Sequence, residues 1–171
     1  MSRGPVIGLT LGDPAGVGPE LSDQVVRRLE KKIHLRVLGV RQGARAGTPT
    51  RAGAKRALQA LEESVRLLGR NEIQAVVNGP VSKEWLAKAG FRFPGQTEFY
   101  ARRLGCKLDA VTMCMVGPRL RVALATTHVS LRRAIGDLTP GAIVRAGLHL
   151  AELLKKMGVR SPRIAVCGLN P

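Results

Sequence analysis

The feature that most constrains the fold of this chain is the alternation of short apolar runs with amphipathic stretches. Apolar runs of strand length begin at Val6, His34 and Ile73, and each is followed by a segment whose apolar residues have helical spacing. A short apolar run is typical of a strand that is buried on both faces, and strands that alternate with helices favour a parallel sheet. We therefore predict an α/β fold with a mostly parallel sheet flanked by helices.

The remaining elements are predicted from the same periodicities and from glycine and proline positions. Two neighbouring strands, joined by Gly117-Pro118, are expected to form a hairpin. The predicted strands are 6–11, 34–38, 73–77, 111–116, 120–126 and 163–167, and the predicted helices are 19–29, 54–68, 83–89, 97–104 and 140–157.

The chain is strongly basic, with a formal net charge of +16 from 28 Lys and Arg against 12 Asp and Glu. The basic residues are scattered beside predicted helical apolar residues, as on solvated helix faces. No zinc-finger spacing is present, and one Trp, one Tyr and three Phe are too few for a base-stacking platform. The composition therefore predicts a generally basic surface and no specific nucleic-acid site.

The pattern of cysteines and the lack of long apolar segments indicate the cellular compartment of the protein. Cys106, Cys114 and Cys167 form no CxxC pair, and an odd number argues against a disulfide framework. We expect Cys114 and Cys167 to be buried, because both lie in apolar stretches. Reduced thiols and the lack of a signal-peptide pattern predict a cytoplasmic protein. No apolar run reaches the ~18 residues of a membrane-spanning helix, so we expect no membrane partner.

Two loops with unusual glycine content follow predicted strands. In residues 12–20, GDPAGVGPE, the glycines allow close backbone approach, and a helix N-terminus next to them can bind an anion. The spacing differs from the dinucleotide fingerprint, so a structural turn is the alternative. In residues 78–83, NGPVSK, Lys83 can face an anionic substrate or be an ordinary solvated lysine.

Two further loops carry candidate site residues. In residues 93–99, FPGQTEF, Gln96 and Thr97 can donate hydrogen bonds to a ligand, or Thr97 can be only a helix N-cap. His128 ends an apolar run and can be a metal ligand, a general acid-base or a hydrogen-bonded structural residue. We assign a structural role to His34 and His149, and the chain shows no metal-ligand spacing.

These loops, taken in order, resemble the 4-hydroxythreonine-4-phosphate dehydrogenase family of vitamin B6 biosynthesis. The resemblance extends from Val6 to Pro171 and implies a fold like the first part of the isocitrate and isopropylmalate dehydrogenase architecture. It also implies that residues 1–171 are an incomplete N-terminal portion, with the C-terminal half absent. The matching segments are GDPAGVGPE, NGPVSKEWLAKAG, FPGQTEFYA, RVALATTHVSLR and RIAVCGLNP.

The resemblance implies a chemistry and the residues that take part in it. The family oxidises the 3-hydroxyl of 4-phosphohydroxy-L-threonine with NAD, and the product loses carbon dioxide. Three histidines hold a divalent metal (Zn, Mg, Mn or Co) that polarises the hydroxyl. His128 corresponds to the first metal ligand, and Gln96 and Thr97 fall where the family binds substrate through a His-Thr pair. The complete enzyme is expected to be a homodimer with a small phosphorylated substrate, and the resemblance assigns no catalytic or NAD-binding residue here.

The chain departs from the family pattern in three places. Gln96 replaces a histidine, and glutamine cannot carry imidazolium charge. The family chain continues past the segment that ends at Pro171 into the second metal-ligating histidine, and the stretch between Val40 and Thr48 is shorter here. The alternatives are therefore an inactive fragment of such an enzyme, or a family member that acts on phosphothreonate or on a cis-dihydrodiol.

Overall fold

A computed structural model describes residues 4–42 and 44–169. The chain divides into two compact units, Met1–Phe93 and Pro94–Pro171. No helix in the described part of the chain is both long enough and apolar enough to cross a membrane.

The first unit is built on a parallel sheet of three strands in the order β2-β1-β3. Its central strand is in register with both neighbours, so that Leu9 lies opposite Val37 on one side and Val77 on the other. Leu38, Leu67 and Ile73 form the centre of its apolar core. The elements are β1 (Val6–Thr10), α1 (Gly18–Leu29), β2 (His34–Leu38), α2 (Arg51–Gly69), β3 (Ala75–Asn78) and α3 (Lys83–Lys88).

Helix α2 covers the sheet because its small and apolar residues recur on one face. Ala54, Ala57, Leu61 and Leu67 are buried, while Lys55, Gln59 and Arg66 are exposed. The hydroxyl of Thr50 accepts a hydrogen bond from the N–H of Gly53 at 3.1 Å, which fixes the start of the helix. The sequence therefore determines this element locally.

The second unit contains an antiparallel strand pair and three helices. Cys114 lies opposite Ala123 in the strand pair, as the predicted hairpin requires. The longest helix buries residues four apart, from Ala142 to Leu154, and Gly158 with a φ of 90° follows its end. The elements are α4 (Gln96–Arg103), a 3₁₀ turn (Leu108–Ala110), β4 (Cys114–Val116), β5 (Arg121–Ala123), α5 (Leu131–Asp137) and α6 (Pro140–Lys156).

The predicted fold class, an α/β fold with a parallel sheet flanked by helices, is confirmed. The sequence prediction missed α5, whose seven residues are too few to establish a helical period. The predicted strand at 163–167 is wrong: this segment has no regular secondary structure and pairs with no strand in the described part of the chain. Cys167 is consequently exposed rather than buried, whereas Cys114 is partly buried in β4.

Candidate functional site

In the first unit, the two glycine-containing loops meet beyond the carboxyl ends of β1 and β3. The two strands are parallel neighbours, so their ends lie at the same edge of the sheet. The N–H of Gly79 donates to the carbonyl of Thr10 at 2.8 Å, and the N–H of Asp13 donates to the carbonyl of Pro80 at 2.9 Å. Backbone hydrogen bonds therefore hold the two loops against each other.

The glycines of these loops are explained by backbone packing. A Cβ added at Gly18 would lie 2.0 Å from the carbonyl oxygen of Leu11, and one added at Gly79 would lie 2.5 Å from that of Thr10. Asp13 is buried, and its Oδ1 accepts from the N–H of Ala15 at 2.9 Å. The structural-turn interpretation accounts for these residues, and Lys83 is exposed at the start of α3 as a solvated lysine would be.

In the second unit, the candidate substrate-binding residues form the first turn of α4. Gly95 is the N-cap, with an extended backbone and no side-chain cap, and Gln96 and Thr97 are the first two helical residues. The alternative that Thr97 is the N-cap is therefore wrong. The N–H groups of this turn lack helical acceptors, as at every helix start, and are available to a ligand.

The site is packed around Gly95. A Cβ added to this residue would lie 2.9 Å from Oε2 of Glu98 and 3.8 Å from Nε2 of His128. The φ of Gly95 is −159°, which any residue can adopt. Glycine is therefore needed here because a side chain would crowd Glu98 and His128, and not because of its backbone conformation. The structure thus places the imidazole of His128 next to the turn that carries Gln96 and Thr97.

The backbone of His128 has an unusual conformation. It follows β5 and precedes α5, and its φ of 55° lies in the left-handed region. Only one other non-glycine residue in the described part of the chain, Asn71, has a positive φ. A left-handed residue other than glycine costs roughly 1–2 kcal/mol, and such costs concentrate at functional sites.

Two side chains of this cluster have buried polar atoms without a hydrogen-bond partner in the described part of the chain. They are Nε2 of Gln96, a donor, and Oε2 of Glu98, an acceptor. An unsatisfied buried polar group costs about 1–3 kcal/mol. A ligand with complementary groups would recover this free energy.

The donor set of the cluster fits part of a divalent metal site. An imidazole and a carboxylate are both ordinary metal ligands. However, no three His, Cys, Asp or Glu side chains come together within residues 4–42 and 44–169. The cluster can therefore provide only some of the ligands that a tightly held ion requires.

The other two histidines lie outside this cluster. Nδ1 of His149 is 2.6 Å from Oγ1 of Thr112, which is the hydrogen-bonded structural role predicted for it. His34 is exposed at the first position of β2. Sequence reasoning missed Glu98 and Gly95, although a glutamate at the third helical position after an N-cap is itself a recognisable pattern.

Comparison with known proteins agrees with the resemblance found in the motifs. A family model described as pyridoxal phosphate biosynthetic protein PdxA matches residues 17–171. The chain is 33% identical to 4-hydroxythreonine-4-phosphate dehydrogenase of Zymomonas mobilis, over 96% of the chain and 61% of the relative. It is 32% identical to D-threonate 4-phosphate dehydrogenase of Cupriavidus necator, over 98% of the chain and 62% of the relative.

A solved structure has the same fold. The crystal structure of a 4-hydroxythreonine-4-phosphate dehydrogenase from Burkholderia phymatum superposes with a TM-score of 0.77 at 28% identity, covering 98% of this chain and 63% of that one. The chain thus spans about three fifths of the length of the relatives that it matches. The predicted family membership is confirmed: the chain belongs to the family of the pyridoxal phosphate biosynthetic protein PdxA.

Proposed function

We propose that this chain forms the N-terminal part of an NAD- and divalent-metal-dependent dehydrogenase that oxidises 4-phosphohydroxy-L-threonine in pyridoxal phosphate biosynthesis. The observation that carries the proposal is the approach of Glu98 and His128 to Gly95, the N-cap of the helix that begins with Gln96 and Thr97, in a chain whose relatives are dehydrogenases of phosphorylated hydroxy acids. As in the resemblance, the complete enzyme is proposed to be a homodimer.

Each candidate residue has a role that its position supports. Gln96 and Thr97, with the N–H groups of the first turn of α4, bind the phosphate of the substrate. His128 is one ligand of the divalent metal, which stabilises negative charge on the substrate oxygen when it is bound. Gly95 leaves room for the imidazole and the Glu98 carboxylate beside this turn.

Two alternatives remain, and each has an observation that favours it. The similarity to D-threonate 4-phosphate dehydrogenase favours a substrate without an amino group. The span of about three fifths of the relatives favours the alternative that this chain is inactive by itself. Under either alternative, the chain still derives from a family of enzymes.

Activity should be tested with the chain alone and with the C-terminal portion of the Zymomonas mobilis relative supplied by fusion or co-expression. We expect NADH formation from 4-phosphohydroxy-L-threonine only in the completed protein, and expect His128→Ala to abolish it. Activity that His128→Ala leaves unchanged would refute the metal-ligand role. A completed, folded protein that oxidises neither this compound nor D-threonate 4-phosphate would refute the proposed function.

In the completed enzyme, we expect Gln96→His to increase turnover. If histidine contributes charge to phosphate binding, the gain is about 1 kcal/mol, or fivefold to tenfold in binding, because charge-assisted hydrogen bonds are worth ~1.5–3 kcal/mol and neutral ones ~0.5–1.5. If histidine transfers a proton, kcat should rise by as much as ~10²–10⁴-fold. Unchanged or lower kcat and kcat/KM would favour a different substrate.

A further inference from the structure

We propose that an apolar groove in the second unit is the docking surface for the C-terminal portion of the complete family enzyme, and that this portion docks by adding a strand beside residues 163–167. The inference rests on the proposed function, because it takes the chain to be one part of a longer dehydrogenase. It assigns the surface through which the two parts of that enzyme associate.

The groove lies between the hairpin of β4 and β5, helix α6 and the segment that follows this helix. Its volume is about 670 Å³, and it is lined by Val122 of β5, by Ile143 and Leu150 of α6, and by Ile164 and Val166. Every described lining residue belongs to the second unit, so the groove is a feature of that unit alone. Walls that are mainly apolar favour an occupant that is itself apolar.

The segment on one side of the groove has the composition of a buried strand but no strand partner. Residues 164–167, IAVC, are apolar, yet Val166 is 67% exposed and Cys167 is also exposed. Within the described part of the chain, no residue from 160 to 169 takes part in a backbone hydrogen bond. Free N–H and C=O groups on an extended segment are a template for pairing with another strand. The missing element is therefore a strand that pairs with this segment and covers the groove.

The length of the relatives identifies the source of this strand. The chain covers 61% of the Zymomonas mobilis relative and 63% of the Burkholderia phymatum structure, and 96% and 98% of the chain itself is matched. The relatives thus contain about two fifths of their length beyond what this chain matches. The groove needs a polypeptide to cover it, and the unmatched portion of the relatives is a polypeptide that members of this family contain.

The charges of the groove favour this occupant over a second copy of the chain. Arg119, Arg121 and Arg163 line the groove, and none of its described lining residues is acidic. Nε of Arg121 is buried without a hydrogen-bond partner in the described part of the chain, so it requires an acceptor oxygen. A second copy would bring like charge, because residues 94–171 contain 12 Lys and Arg against 4 Asp and Glu. The expected occupant is an apolar strand with a carboxylate that faces Arg121.

Cysteine alkylation would test the docking surface without reading enzyme activity. The samples are the full chain alone, the chain co-expressed with the C-terminal portion of the Zymomonas mobilis relative, and the two parts fused. Cys167 lines the groove, and Cys106 is an internal control that is also exposed but lies outside it. Mass spectrometry after iodoacetamide treatment gives the rate at each thiol. We expect Cys167 to react about tenfold more slowly in the complex and in the fusion than in the chain alone, because its thiol becomes buried, and expect Cys106 to be unchanged.

Two substitutions in the groove and one matched control would locate the interface. Val166→Glu places a charge against the apolar walls and should weaken the co-expressed complex by about tenfold or more, equivalent to ~1.4 kcal/mol. Arg121→Met removes the unpaired donor and should weaken it by about fivefold. Val144→Glu is the control, because Val144 is 60% exposed on α6 but does not line the groove. Analytical ultracentrifugation gives the dissociation constants, and circular dichroism verifies that each variant is folded.

Slower alkylation of Cys167 in the fusion, with association weakened by Val166→Glu and unchanged by Val144→Glu, would support the inference. Equal rates at Cys167 in the fusion and in the chain alone would overturn it, and an active fusion would then leave the proposed function intact. A protected Cys167 in an inactive fusion would support the docking surface and count against the proposed substrate only. A dimer of the chain alone in which Cys167 is already protected would overturn the inference, because the groove would then belong to a second copy.

Discussion

The contact between the two glycine-containing loops makes a quantitative prediction about Gly79. In Gly79→Ala, the new Cβ would lie 2.5–2.7 Å from the carbonyl oxygens of Thr10 and Leu11 and from the carbonyl carbon of Leu11. All three atoms belong to the backbone, so the strain cannot be relieved by a side-chain rotation, and overpacking of this kind costs about 1–3 kcal/mol. The shift would also weaken the hydrogen bonds from Gly79 N–H to Thr10 and from Asp13 N–H to Pro80, each worth about 1 kcal/mol. We expect a total loss of about 3 kcal/mol in the free energy of unfolding of the first unit.

Urea denaturation followed by tryptophan fluorescence is a suitable assay, because the one tryptophan of the chain, Trp85, lies in α3 just after this loop. With an m-value of about 2 kcal/mol/M, the midpoint should fall by about 1.5 M. Gly69→Ala is the matched control: Gly69 ends α2, and an added Cβ would meet nothing within 4 Å. This control should be neutral or slightly stabilising, because alanine favours the helix.

A Gly79→Ala protein whose midpoint agrees with that of the unsubstituted chain would refute the packing argument. An equal fall of the urea midpoint in Gly69→Ala would also refute it, because the loss of stability would then not depend on the Thr10 and Leu11 carbonyls. A large loss in Gly79→Ala alone would show that the close approach of the loops stabilises the first unit.

Four other properties can be tested directly. His128→Gly and Asn71→Gly should each raise the free energy of unfolding by about 1 kcal/mol in urea denaturation, because both residues have a left-handed backbone. Calorimetry of this chain should show no tight Zn²⁺, Mg²⁺ or Mn²⁺ binding that His128→Ala removes. A stoichiometric site that His128→Ala removes would contradict this. Burial raises the pKa of the Cys114 thiol, so at pH 8 it should contain less thiolate and react with Ellman's reagent more slowly than the exposed Cys106 and Cys167; three equal rates would contradict this. Binding to DNA, measured by fluorescence anisotropy, should be weak and should fall steeply with salt, because scattered basic side chains contact only phosphates; tight binding to one sequence at high salt would be the contrary result.

The sequence was informative where local physics decides the structure. Helix α6 begins after Thr139 with Pro140 and is followed by Gly158, and each of these residues favours its position in any protein. The hairpin of β4 and β5 was likewise predictable from two apolar runs joined by Gly117-Pro118. The candidate residues Gln96, Thr97 and His128 were identified from motifs and resemblance, and their roles remain proposals.

Only the tertiary structure decided which of these residues are neighbours. A strand needs a neighbouring strand to pair with, and within the described residues the apolar segment 163–167 has none, although its pattern predicted a strand. The importance of Gly95 is likewise invisible in sequence, because its backbone is ordinary and its role is to leave space between Glu98 and His128, 30 residues apart in the chain. Local preferences fix helices and turns, but the approach of Glu98 and His128 to Gly95 arises from contacts between distant segments, which no single stretch of sequence encodes.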